Sequence, residues 1–260
     1  MKAHSSFVTD VQLKKQQSNI FYGQAKYAES EAIDRAMLAA SRDTRTSLEV
    51  RLHQSLNQFC QSKNAECEAS LDTVISTTKK LSPQSIDILE AAYKQLGKLH
   101  TETSQLQKAQ LDYESEVELL RKKPDMNVLL ASALNDLGGV LRARKSYEKA
   151  LKTFKEAYDA GNKSEQDLLY YYGNSGCVYL DLGEKEKAEA AFNQALKITL
   201  ERPSAENLAQ CTSNLASVYA RQGRTELARR KFDEAISLAE KASDKSGLVM
   251  IKKAKSIYLP

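Results

Sequence analysis

The sequence predicts an all-α solenoid of antiparallel helical hairpins, and three observations predict it. Helix formers dominate the 260 residues: Gly and Pro number only 10 and 4, and Ala, Leu, Lys, Glu and Gln fill much of the remainder. These residues lose little side-chain freedom in a helix. Few short stretches alternate β-branched and polar residues as a half-buried strand does. The third observation is internal repetition at fixed offsets.

Leu137-Gly138 serves as an anchor, followed by Leu141, Ala150, Phe154 and Ala157 at offsets of 4, 13, 17 and 20 from Leu137. The same offsets from Ser175-Gly176 give Tyr179, Ala188, Phe192 and Ala195, and from Leu215-Ala216 they give Tyr219, Ala228, Phe232 and Ala235. A weaker copy starts at Leu96-Gly97, with His100, Ala109 and Tyr113, and Glu116 stands at its last small position. The anchors are 41, 38 and 40 residues apart. Two antiparallel helices explain the pattern. Gly138, Gly176 and Ala216 let the first helix approach its partner, Ala150, Ala188 and Ala228 do the same from the second helix, and the phenylalanines fill the space toward the next hairpin. Gly183 and Gly223 supply turns that need positive φ, whereas Lys145 stands at that place in the first copy.

These residues resemble the tetratricopeptide-repeat (TPR) pattern, strongly over residues 127–242 and more weakly back to about 84. The resemblance implies a right-handed TPR superhelix whose first helices line a concave groove. The spacing exceeds the family's norm of about 34 residues. In this the chain is similar to the longer repeats of kinesin light chains, of the LGN family of polarity adaptors and of bacterial peptide-sensing regulators. Asn214-Leu215-Ala216-Ser217-Val218-Tyr219 followed by Gln222-Gly223 carries that likeness.

Along the chain, residues 1–20 are polar and read as a disordered or short arm. Residues 21–83 read as diverged helical hairpins. There the stripes Ala25, Ala28, Ala32 and Ala36, then Leu48, Leu52, Leu56 and Phe59, then Cys67, Leu71, Val74 and Ile75 are the expected packing faces, and Ser82-Pro83 is the expected break. Residues 84–125 form a degenerate repeat, 126–163, 164–203 and 204–243 three full ones, and 244–260 a capping helix, polar on its open face.

The resemblance also implies a site. In the long-repeat classes, an Asn just before the anchor is one rung of a ladder that pairs with the peptide units of an extended ligand. Asn174 and Asn214 hold that place, Asp136 departs from it, and Asn135 is one residue away. A purely structural role for these amides, bonding the neighbouring repeat, is the competing reading. Arg142 and Arg221 are placed to meet acidic ligand side chains. Ser217 lies on the groove stripe, and Tyr170 is the member of Tyr170-Tyr171-Tyr172 that reaches the groove. The expected partner is therefore another protein, held by a peptide segment. A structural subunit docking through its N-terminal helices or convex face, and a client-sequestering regulator or chaperone, are the alternatives.

Other classes lack their signatures. The formal charge of +4 is spread along the chain, which does not demand nucleic acid. Gly161-Asn162-Lys163-Ser164 lacks the contiguous Gly-Lys-Ser/Thr of a phosphate loop, and no other motif points to an enzyme. Cys60, Cys67, Cys177 and Cys211 form no Cys-x-x-Cys, and His4, His53 and His100 lie apart from them. No metal site and no cofactor is expected. Unpaired thiols, a polar opening segment without a secretory apolar core, and no long apolar run predict a cytoplasmic protein without a membrane span.

Overall fold

The computed structural model describes residues 2–41, 43–81 and 85–259, with side chains from position 12 onward, and among the described residues every regular element is helical. Among the described residues there are six hairpins and one final helix. They are α1 (Lys2–Gly23) with α2 (Tyr27–Ala40), α3 (Thr44–Cys60) with α4 (Asn64–Thr78), α5 (Ile86–Glu102) with α6 (Leu106–Arg121), α7 (Asn127–Ala143) with α8 (Tyr147–Ala160), α9 (Glu165–Leu182) with α10 (Lys185–Glu201), α11 (Ala205–Arg221) with α12 (Thr225–Lys241), and then α13 (Lys245–Tyr258). A short 3-10 turn covers Pro124–Met126. The expected break at Ser82-Pro83 lies outside the described residues.

The chain falls into two compact units, residues 1–123 and 124–260. In the first, hairpins stack through α2 on α3 and α4 on α5; in the second, α8 packs on α9, α10 on α11, and α13 on both α11 and α12. This is the α-solenoid class.

Each hairpin turns in the same way. The first helix ends at a residue of positive φ: Ala25 (57°), Ser62 (59°), Ser104 (60°), Lys145 (61°), Gly183 (80°) and Gly223 (78°). The next N–H then donates to a carbonyl five residues upstream: Lys26 to Phe21 (2.8 Å), Lys63 to Gln58 (2.8 Å), Gln105 to His100 (2.7 Å), Ser146 to Leu141 (2.8 Å), Glu184 to Tyr179 (2.9 Å) and Arg224 to Tyr219 (2.9 Å). This closure satisfies helix-end carbonyls that would otherwise be orphaned. The acceptor is the residue four places after each anchor. The turns therefore carry the register into the N-terminal region, where Gln17-Ser18 and Gln54-Ser55 are the equivalent anchors.

In the second unit the slots are apolar and tight. A Cβ on Gly176 would lie 2.6 Å from Cε1 of Phe192, and one on Gly138 would strike the ring of Phe154 in the same way. Ala150, Ala188, Ala216 and Ala228 are wholly buried, and so, to within 2 %, are Phe154, Phe192 and Phe232. Each buried phenylalanine is worth about 1.5–3 kcal/mol of transfer free energy.

The first unit departs from the sequence expectation at several points. Residues 2–23 are a helix where an arm was expected. The run around residues 22–40 is broken at Ala25, which is a turn residue. Ala28, Ala32 and Ala36 face solvent, while Ser30, Glu31, Asp34 and Met37 form the buried stripe of α2. In α3 the fully buried residues include Gln54, Ser55, Asn57 and Gln58, and Leu52, Leu56 and Phe59 are only half-buried. Apolar periodicity misplaces these faces because the seam between the first two hairpins is built of hydrogen bonds. Ser18 Oγ donates to Asp34 Oδ1 (2.7 Å), Asn57 Nδ2 donates to Asp34 Oδ2 (2.9 Å), and His53 Nδ1 lies 2.8 Å from the same oxygen. Cys67, Leu71, Val74 and Ile75 do form the buried face of α4, as read. In α13 only Ile251 is fully buried, and the outer face exposes Val249, Met250 and Ile257 beside its lysines, so it is less polar than expected of a cap.

Candidate functional site

The first helices of the second unit, α7, α9 and α11, hold two adjoining hollows. One, of about 590 Å³, is lined by residues of α7, the loop after α8 and the start of α9, among them Val128, Asn135, Asp136, Tyr170 and Asn174. The other, of about 260 Å³, runs from α9 to α11 and is lined by Tyr170, Gly173, Asn174, Cys177, Gln210 and Asn214, among others. Tyr170 and Asn174 belong to both. Helix geometry explains the shared wall, since positions three and four apart stand on one face.

A sequence feature opens the floor. A Cβ at Gly173 would meet no atom within 4 Å, and the same holds for Gly139 on α7. Neither glycine serves helix packing, unlike Gly138 and Gly176. In both helices a small residue faces the open side, which costs helix stability of about 0.5–1 kcal/mol relative to Ala.

The amides lie together along this floor. Asn174 Nδ2 donates to Asn135 Oδ1 at 3.2 Å, Asn135 Nδ2 donates to the Ala131 carbonyl at 3.0 Å, and Gln210 Nε2 donates to Asn214 Oδ1 at 3.0 Å. An amide carries two donor hydrogens and an acceptor oxygen with two lone pairs, so the one or two bonds each makes here leave further capacity. Asn135 thus joins Asn174 directly. Tyr170 is 52 % exposed between the two hollows.

Other residues named from the sequence are placed differently. Ser217 is buried, and its hydroxyl donates to the Ser213 carbonyl at 3.1 Å, the local bond that helical serines commonly make. Arg142 Nε donates to Asp181 Oδ2 at 2.6 Å. Burial alone would lower the Arg142 pKa, but Asp181 and neighbouring groups, Tyr258 among them, outweigh it and raise the value. Arg221 stacks its guanidinium 5.4 Å from the centroid of the Tyr258 ring. Both arginines make contacts within the chain, while Arg221 stays exposed and the Arg142 side chain keeps 40 % of its surface open. The charged side chains that line the two hollows are Asp136 and Asp167, and Asp167 also closes the capping box that starts α9. The floor is neutral to acidic.

Tyr258 lines neither hollow, yet it stands beside residues near them, and sequence reading did not single it out. It packs against the core cluster that contains Leu180, Phe192, Leu215 and Val218, together with Cys177. Burial pushes the Cys177 thiol pKa up, with Arg142 opposing. Among the described residues no group of three or more His, Cys, Asp or Glu is arranged to hold a metal ion, and no helix is long and apolar enough to cross a membrane.

Comparison with known proteins agrees with this architecture. Residues 129–201 and 208–245 match two profiles described as tetratricopeptide repeat. Regulatory protein RapG of Bacillus subtilis (strain 168) is 27% identical over 121 residues, which are 46% of this chain and 32% of RapG. The chain therefore spans about a third of that relative's length. Among solved structures, BtubC (BKLC) from P. vanneervenii superposes with a TM-score of 0.68 at 19% identity, covering 85% of this chain and 91% of that one. A Rap protein complexed with competence and sporulation factor superposes with a TM-score of 0.64 at 14% identity, covering 96% and 82%. At these identities the structural likeness speaks for the fold alone. With the repeat register, the hairpin turns and the matched profiles in agreement, residues 129–201 and 208–245 are tetratricopeptide repeats.

Proposed function

We propose that the protein is a binding scaffold that holds an extended segment of a partner protein across α7, α9 and α11, with Asn135, Asn174 and Asn214 as the rungs that read its backbone. One observation carries this reading: two adjoining hollows share a floor of amides and small residues, with the exposed ring of Tyr170 between them. Peptide units need a donor and an acceptor side by side, and an asparagine amide supplies both. Gly173 keeps the floor low enough for a backbone to approach. The TPR fold and its Rap-like relatives support protein–protein interaction as the general role. That a Rap protein has been solved with competence and sporulation factor supports a ligand-holding face in this class.

The test replaces Asn174 and Asn214 together by Ala. A partner is first recovered by pull-down from the native cell, and its binding segment is made as a synthetic peptide. Affinity for that peptide is expected to fall by about 1–3 kcal/mol for each hydrogen-bonded pair lost, tenfold or more in all, while the melting temperature stays within a few tenths of a degree to about 2 °C. Unchanged affinity would move the contact to the outer faces or to the first unit. An affinity that collapses with added salt would point instead to nucleic acid.

A further inference from the structure

The concave face of the second unit has two sides, and the repeat register shows how one of them is filled. Three places after each anchor the first helices carry a valine: Val140 on α7, Val178 on α9 and Val218 on α11, each at most 2 % exposed against the neighbouring helix. Forty residues on from Val218, the same register falls on Tyr258, at the end of α13. A tyrosine in a valine's place has a ring and a hydroxyl too many for that slot. The surplus reaches over the face: the ring lies under the Arg221 guanidinium, joins the cluster of Leu180, Leu215 and Val218, and comes near enough to Arg142 to bear on its charge. Arg142 is in turn held by Asp181. Arg142 and Leu180 stand five places after their anchors and Asp181 and Arg221 six, so all four lie toward the C-terminal ends of their helices. Asn135, Asn174 and Asn214 lie before the anchors, near the middle of their helices and seven residues, about two turns, before Arg142, Asp181 and Arg221 in turn.

We propose that Tyr258 is a specificity-determining residue of the groove: with the Arg142–Asp181 pair and Arg221 it walls off this side of the concave face, confines a bound chain to the lane over Asn135, Asn174 and Asn214, and holds both arginines, exposed as they are, on its own side of that lane. The inference rests on the peptide-groove reading and adds to it the chemistry that the lane accepts. A lane lined by amides, serines, Tyr170 and two aspartates takes polar or basic segments read through their backbone. Acidic segments find no cation there.

Two measurements on the full chain test it, with Tyr258→Val as the variant. Valine is the residue that the other repeats carry at this register, so its packing slot stays filled. Ala at the same position is the second variant. The first readout is labelling of Cys177 by N-ethylmaleimide in a Cys60→Ser background, mapped by mass spectrometry. Cys177 is half-buried and packs in the same cluster as Tyr258, whereas Cys67 and Cys211 are buried. Removing the wall is expected to raise the Cys177 labelling rate severalfold, because exposure brings the thiol back toward its ordinary acidity; Tyr258→Phe leaves the rate unchanged. The second readout is selection from a random heptapeptide display library. The wild type is expected to select peptides depleted in Asp and Glu, and Tyr258→Val to admit acidic ones. An unchanged Cys177 rate in both variants overturns the wall. A faster rate with an unaltered peptide preference overturns the role in specificity. If neither protein selects any peptide while the Cys177 rate still rises, the peptide-groove reading itself has failed, and this inference with it.

Discussion

The slots where helices cross are small and apolar throughout the second unit, whereas the first unit fills several of them with polar side chains. At the crossing slot of the first helix, residues 124–260 carry Gly138, Gly176 and Ala216, and the first two hairpins carry Ser18 and Ser55, buried to within 1 %. Where the second unit has Ala150, Ala188 and Ala228, the N-terminal hairpins have Ser30 and Cys67. Where it has the wedges Phe154, Phe192 and Phe232, they have Asp34 and Leu71. Size is kept at the crossings, and polarity is not. The backbone asks only that two helices approach and that a wedge fill the gap beyond. A phenylalanine ring meets the second demand by dispersion and burial. Asp34 meets it by accepting from Ser18 and Asn57 and pairing with His53.

The largest effects should separate these two devices. Phe192→Ala removes a ring with no exposed surface from the centre of the second unit. It is expected to cost about 3–5 kcal/mol, read as a drop in the urea midpoint. Asp34→Ala removes a smaller group but strands buried donors, at about 1–3 kcal/mol for each one left unsatisfied. The two are told apart by a second substitution. Adding Ser18→Ala to Asp34→Ala should recover part of the loss, since the stranded hydroxyl goes with it, whereas no polar deletion rescues Phe192→Ala. Equal additivity in both pairs would mean that the polar seam is not a unit.

This contrast also explains what could be read from the sequence. The repeats over residues 127–242 were legible because Gly, Ala and Phe recur in identity. In the N-terminal hairpins the same slots change identity, so apolar periodicity selected Ala28, Ala32 and Ala36, which face solvent, over Ser30 and Asp34, which do not. A search for small residues of any polarity at the repeat offsets would have found Ser18, Ser30, Ser55 and Cys67. The residues lining the two hollows follow the same logic: Asn135, Asn174 and Asn214 line them because an anchor fixes the helix face. Whether Arg142 and Arg221 are available was not legible, because that depends on Asp181 and on Tyr258, and Tyr258 comes from a helix outside the matched repeats.

A smaller effect lies in the third hairpin, where an alanine slot holds Glu116. It is wholly buried and bears on Glu90, whose pKa is raised by burial. Two buried carboxyl groups that bear on one another favour a shared proton over two charges. The sign follows: a carboxyl whose folded pKa lies above its unfolded value, ordinarily about 4.3, stabilises the fold at low pH and loses that contribution as pH rises through the folded value. Glu116→Gln supplies a donor at any pH. Its advantage over the wild type is expected to be small near pH 4–5 and to grow toward pH 7 to about 1.5 kcal/mol, the worth of one hydrogen bond to a charged group. Denaturation midpoints across that range give the answer. A pH-independent difference between the two proteins would show that no proton is shared.

The smallest effect sharpens the one feature that both units hold in common, the left-handed turn residue. Six hairpins need positive φ at the same place, and only Gly183 and Gly223 meet it with glycine. Lys145, at φ 61°, sits in a repeat whose packing otherwise matches its neighbours. An L-residue in this conformation costs roughly 1–2 kcal/mol, and glycine avoids that cost at an entropic penalty of about 0.5–1 kcal/mol. Lys145→Gly is therefore expected to stabilise by about 0.5–1 kcal/mol, and Gly183→Lys to destabilise by a similar amount. Because neither side chain contributes to the slots, the two changes should leave the cost of Phe192→Ala unaltered when combined with it. A coupling between turn and wedge would mean that the turn sets the helix crossing; its absence would mean that the slots alone do.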